Sequence, residues 1–126
     1  MMTIRHAYLP TLLVSCLMAI ACSGQHKPGY TADIRPILDK HCAACHMPDM
    51  EGAKQSGFQV DSYASLMKGT TLGPVIVPGS AESSTLYILV AGKADPKINM
   101  PHGKEPLSAK EIDAIRLWID QGAMDN

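Results

Sequence analysis

The stretch Cys42-Ala43-Ala44-Cys45-His46 decides how this chain is read. Two thiols stand three positions apart, and an imidazole follows the second directly. This is the Cys-x-x-Cys-His pattern through which a c-type haem is attached. Each thiol adds across one vinyl group of the same porphyrin, and the histidine sits under the iron as proximal ligand. A thioredoxin-like redox pair shares the Cys-x-x-Cys spacing but needs a βαβ context, which the flanking sequence does not offer. A zinc knuckle needs a second ligand pair, and no cysteine follows residue 45. A disulfide between Cys42 and Cys45 would close a very small loop.

Thioether attachment of haem takes place outside the cytoplasm, so an export signal is expected upstream. Arg5 and His6 supply a basic start, and Leu9 to Ala21 is an apolar stretch too short for a membrane span. Ala19-Ile20-Ala21-Cys22, followed by Ser23 and Gly24, is similar to a bacterial lipoprotein signal. Residues 1–22 are therefore read as a lipoprotein-type signal peptide whose cleavage leaves Cys22 as the lipidated first residue. An ordinary secretion signal and an uncleaved anchor are the alternatives. Cys16 also follows a lipobox-like run, but its apolar stretch is unusually short. The expected location is periplasmic or otherwise extracytoplasmic, with a lipid anchor in the membrane.

The whole chain has 126 residues, and its 46% hydrophobic content is inflated by the signal. What remains is a polar tether over residues 23–29 and one small domain over 30–126. Its aromatics are few: Tyr30, Phe58, Tyr63, Tyr87 and Trp118. A domain this small is marginal if it buries only its own side chains, and a covalently held porphyrin would add apolar bulk. The net charge of −1, with no basic run, argues against a nucleic-acid partner.

The pattern along the domain predicts helices joined by long loops. Asp33 is expected to cap a first helix, with Ile34, Ile37, Leu38 and His41 on one face and Pro36 in the first turn. Residues 47–59 read as a loop. Asp61 to Met67 reads as a short helix ended by Gly69, and Gly73 to Gly79 as an extended segment across the porphyrin. Ser83 or Ser84 is expected to cap a helix through Val90, followed by a loop over 93–107. Ser108-Ala109-Lys110-Glu111 is a capping box opening a last helix, whose buried stripe is Ile112, Ile115, Trp118 and Ile119. Gly122 is its expected stop.

A haem iron has a sixth position, and its occupant separates electron carriers from gas sensors and peroxide enzymes. Met47 and Met50 are too close to His46 to reach the opposite face. Met67 reads as core, and Met124 lies at the C-terminus. Met100 stands in the long loop before Pro101, which favours extended backbone there. It is the preferred distal ligand; His102 and an open site are the alternatives. Proline-flanked carbonyls at Gly73 or Pro74 are the candidate acceptors for the second ring nitrogen of His46.

Tyr30-Thr31-Ala32-Asp33-Ile34-Arg35-Pro36-Ile37-Leu38, leading into Cys42-Ala43-Ala44-Cys45-His46, resembles the small monohaem domains known as planctomycete-type cytochrome c. Asp61-Ser62-Tyr63, Gly73-Pro74, Val77-Pro78-Gly79, Ser84-Thr85-Leu86, Met100-Pro101, and Leu107-Ser108 through Trp118-Ile119 extend the likeness to about residues 30–123. The resemblance implies an all-α cytochrome c fold, with about four short helices and long loops around one covalent haem c. It also implies Cys42 and Cys45 as attachment points, His46 as proximal ligand and Met100 as distal ligand. His102 departs from the pattern, since these domains commonly carry another proline there. The implied function is single-electron transfer between redox partner proteins, without catalysis by the chain itself. The rivals are an open-site haem sensor, a haem subunit of an oxidoreductase complex and a zinc module.

Overall fold

The computed structural model describes residues 26–126; the proposed signal, including Cys16 and Cys22, lies outside the described residues. The described chain is helical. A wide π-helical turn, Tyr30–Ile34, runs into α1 (Arg35–His41), followed by α2 (Ala43–His46), α3 (Glu51–Ser56), α4 (Tyr63–Lys68), a 3₁₀ turn (Ala81–Ser83), α5 (Thr85–Val90) and α6 (Ala109–Asp120). The all-α expectation holds, with six α-helices rather than about four. No described helix is long and apolar enough to cross a membrane.

The first helical segment begins earlier than expected. Asp33 does not stand at its N-cap; its carboxylate reaches back to accept the Gly29 N–H at 2.8 Å and satisfies a free donor from inside the turn. Hydrogen bonding to Gly29 and to His26 holds the Asp33 carboxyl below the usual carboxylate range. α1 ends at Cys42, whose N–H still bonds to Leu38, and α2 restarts one residue later. The expected loop at 47–59 contains α3. In α4, Ser62 caps by accepting the Ser65 N–H at 3.1 Å. Gly69 stops that helix at φ +82°, where a Cβ would lie 2.4 Å from the Gly73 carbonyl.

Residues 73–79 form no strand among the described residues and are not extended throughout: the segment bends at Val75 and turns at Pro78–Gly79, where the Ser80 N–H bonds to the Val77 carbonyl at 3.0 Å. Ile76 is buried, and the Val75 carbonyl accepts the Leu86 N–H at 3.0 Å. Ser84 precedes α5 as expected, yet its hydroxyl does not cap it. It is wholly buried, donates to the Ser80 carbonyl at 2.8 Å and accepts the Val77 N–H at 2.9 Å. Ser84 thereby fastens the segment 73–79 to the start of α5. The capping box at α6 is present in both directions.

The core joins Ile34, Ile37 and Leu38 to Ile115, Trp118 and Ile119 within one cluster. The Trp118 ring lies 6.0 Å from Tyr30, and its Nε1–H donates to the Met124 carbonyl at 2.9 Å. Tyr63 packs edge-on against Tyr30 and donates its hydroxyl to the Ala123 carbonyl. Pro28 is buried. Asn126 closes the arrangement: its side chain accepts the Tyr30 N–H at 3.0 Å and its carbonyl the Thr31 N–H at 2.8 Å.

Candidate functional site

The Cys-x-x-Cys-His stretch lies where α1 breaks into α2. Cys42, at the junction, is half-buried, and Cys45 is exposed; neither is in a disulfide. Burial pushes the Cys42 thiol up to about 11, Cys45 nearby adds to this, and Lys104 opposes it. A dithiol built for disulfide exchange needs the opposite, a stabilised thiolate, so the thioredoxin-like reading loses ground.

His46 closes α2 and is held from several directions. Its N–H bonds to the Cys42 carbonyl at 2.9 Å, and its carbonyl accepts the Val60 N–H at 3.0 Å. Its Nδ1 lies 3.1 Å from the Phe58 carbonyl. A carbonyl only accepts, so Nδ1 carries the proton, and the neutral ring keeps its lone pair on Nε2. The Phe58 ring stands edge-on to the imidazole, with centroids 5.2 Å apart at 68°. The acceptor is therefore Phe58 rather than Gly73 or Pro74. The Gly73 carbonyl is engaged by the Thr70 N–H at 2.9 Å, because the tight turn at 70–73 claims it.

The long loop brings Met100 and His102 together. Both line a cavity of about 520 Å³ whose walls include Leu89, Val90 and Ile112. The Met100 N–H bonds to the Leu89 carbonyl at 3.2 Å, tying the loop to the end of α5, and the residue is exposed. His102 is exposed, with Nδ1 3.3 Å from the Asn99 carbonyl. A second cavity of about 540 Å³ is walled by His41, Lys104, Leu107 and Glu111 among others, and Pro106 borders both. Cys42, Cys45 and His46 line neither cavity, so the two groups of candidate residues do not share one pocket wall.

The comparisons bear on the same residues. A family model described as planctomycete cytochrome C matches residues 42–102, from the first thiol of the motif to His102. The chain carries a planctomycete-type cytochrome c domain. No curated protein and no solved structure matches it. The domain brings haem binding and electron transfer with it, and Cys42 and Cys45 both lie inside the matched span.

The donor set fits that group. His46 offers a lone pair on Nε2 because Phe58 takes its other nitrogen, the arrangement usual for a metal-bound imidazole. Residues that sequence reasoning missed are the ones supporting His46. Phe58 contributes a backbone carbonyl, which leaves no side-chain signature. A Cβ at Gly52 would lie 3.1 Å from His46 Cε1, so glycine leaves room for the imidazole, and only its place in a Gly-containing segment hinted at this.

Proposed function

We propose that this protein is an exported, lipid-anchored monohaem cytochrome c that carries single electrons between redox partner proteins. Cys42 and Cys45 hold the haem by thioethers, His46 supplies the proximal imidazole, and Met100 supplies the distal thioether. Cys22 carries the lipid. The bound haem supplies the one-electron redox couple. The observation that carries this reading is the hydrogen bond from His46 Nδ1 to the Phe58 carbonyl, one residue type and one orientation suited to an iron ligand directly after the two thiols.

The chain's own work is positional. Phe58 and Val60 fix the ring and backbone of His46. The contact between Met100 and Leu89 and the internal bonds of Asn99 with Ala94 fix the loop that carries the second ligand. No proton has to be gained or lost by a side chain for an electron to pass. Denaturing mass spectrometry of the exported protein tests the reading: the polypeptide plus one haem is expected. A haem fully removed by acid–acetone would overturn covalent attachment.

A second reading of the distal ligand has its own support. His102 Nδ1 faces a carbonyl, as His46 Nδ1 does, which leaves its Nε2 lone pair free, and it borders the same cavity as Met100. A visible spectrum altered by His102→Ala and untouched by Met100→Ala would select histidine.

A further inference from the structure

Gly52 sits in the first turn of α3, directly against the Cys-x-x-Cys-His helix. A Cβ there would lie 2.7 Å from the Cys45 carbonyl oxygen and 3.1 Å from His46 Cε1. The first distance is shorter than side-chain carbons tolerate, and the obstacle is helical backbone that cannot swing aside. The backbone of Gly52 is ordinary helix, so no positive φ calls for glycine. Glycine is a poor helix residue, and α3 is a short helix that would gain from alanine. Space for the neighbouring helix is the remaining reason for it.

The ring atom that a side chain at Gly52 would meet, Cε1, lies between the two imidazole nitrogens. Gly52 is also wired to the acceptor of Nδ1–H. Its carbonyl accepts the Ser56 hydroxyl at 2.6 Å, and that Ser56 Oγ accepts the Phe58 N–H at 3.1 Å. One short segment thus leaves room beside Cε1 and holds the Phe58 N–H, one peptide before the carbonyl that faces Nδ1.

We propose that Gly52 is a positioning residue for His46, and that with Ser56 it sets the strength of the hydrogen bond from Nδ1 to Phe58. The inference rests on His46 being the proximal ligand of a bound haem. Donation from Nδ1–H to a carbonyl raises the basicity of the metal-bound nitrogen, and more electron donation favours ferric iron. Weakening the bond therefore raises the midpoint potential.

The experiment compares haem-loaded wild type with Gly52→Ala, Ser56→Ala and Gln55→Gly. Midpoint potentials and the ring-proton shifts of His46 in the ferrous NMR spectrum are read together. Gly52→Ala and Ser56→Ala are expected to raise the potential and move the His46 signals. Gln55→Gly weakens α3 at an exposed position, without charge change, and is expected to leave both in place. A loaded Gly52→Ala protein with the wild-type potential overturns the proposal, as does an equal shift in Gln55→Gly. If Gly52→Ala is not recovered with haem, Ser56→Ala decides, and an unchanged potential there overturns it. Wild-type protein that carries no haem would instead defeat the underlying reading, so the two failures are distinguishable.

Discussion

As the proposed iron ligands, Met100 and His46 present the same problem: a soft or basic donor must be held ready without being consumed by another partner. His46 solves it by spending one nitrogen on Phe58 and keeping the other. Met100 has no hydrogen bond to spend, so its backbone is tied to Leu89 instead. A thioether ligand closes the iron and favours the ferrous state. Replacing Met100 with Ala is expected to open the iron to carbon monoxide and lower the midpoint potential. Visible spectra with and without carbon monoxide check this. Wild-type protein that binds carbon monoxide readily would mean the sixth position is open, which returns the sensor reading.

Among the elements, the last helix was legible because its signals are local, although Ile112, read as part of its buried stripe, is only partly buried. Ser108 and Glu111 stand three positions apart and satisfy one another's backbone N–H groups without help from elsewhere. α3 was not legible. Gly52 in its first turn and Gly57 at its end read as loop, whereas the reason for Gly52 is the close passage of α2, which no local pattern announces. The Phe58 carbonyl was hidden for the same kind of reason: it is backbone, and its partner comes from another helix. Ser84 shows a further limit, since a capping residue type can be diverted to a tertiary contact.

The α6 capping box has a consequence in pH. Lys40, then Ser108 and His41, hydrogen-bond the Glu111 carboxylate and hold it far below its ordinary value of 4.5. A carboxyl whose folded value is depressed contributes stability above its unfolded value and loses it as pH falls toward the folded one. The stability of wild type is therefore expected to decline below about pH 4.5, the ordinary value of this group. Glu111→Gln is expected to be less stable at neutral pH and to show a flatter decline. Denaturant melts from pH 3 to pH 7 measure both. Equal slopes in the two proteins would assign the acid sensitivity to other carboxylates. Ser108→Ala is expected to cost about 1 kcal/mol, the usual scale for a lost N-cap.

At the scale of the molecule, closure depends on Trp118. It is almost wholly buried, packs near Tyr30 and bonds to the Met124 carbonyl, joining the final helix to the first turn and to the chain that follows it. Trp118→Ala is expected to cost about 3–5 kcal/mol, the range for emptying a buried aromatic site. In a small domain that is a large share of the total. Thermal melts of the haem-loaded protein check it, and an unchanged melting temperature would mean that the helix pair closes without the indole. The pairing of Ile34, Ile37 and Leu38 with Ile115, Trp118 and Ile119 was readable from two stripes too narrow to stand alone. The polar stitching of residues 123–126 to Tyr30, Thr31 and Tyr63 was not, because it uses two backbone carbonyls and one Asn126 amide oxygen, none of which leaves a periodic pattern.

That stitching gives the protein a mechanical direction. The bonds from Tyr30 and Thr31 to Asn126 lie side by side at adjoining residues. A load applied between the N-terminal leash and the far end of the chain falls on this seam first and takes its bonds in succession, as a zipper opens. A load applied between a point on α2 and the leash bypasses the seam and must shear packed helices together. If the proposed lipid anchor holds the N-terminal end, drag on the protein enters through whatever surface a partner grips. A partner gripping near the Cys-x-x-Cys-His helix would therefore pull along the stiff axis and leave the seam closed.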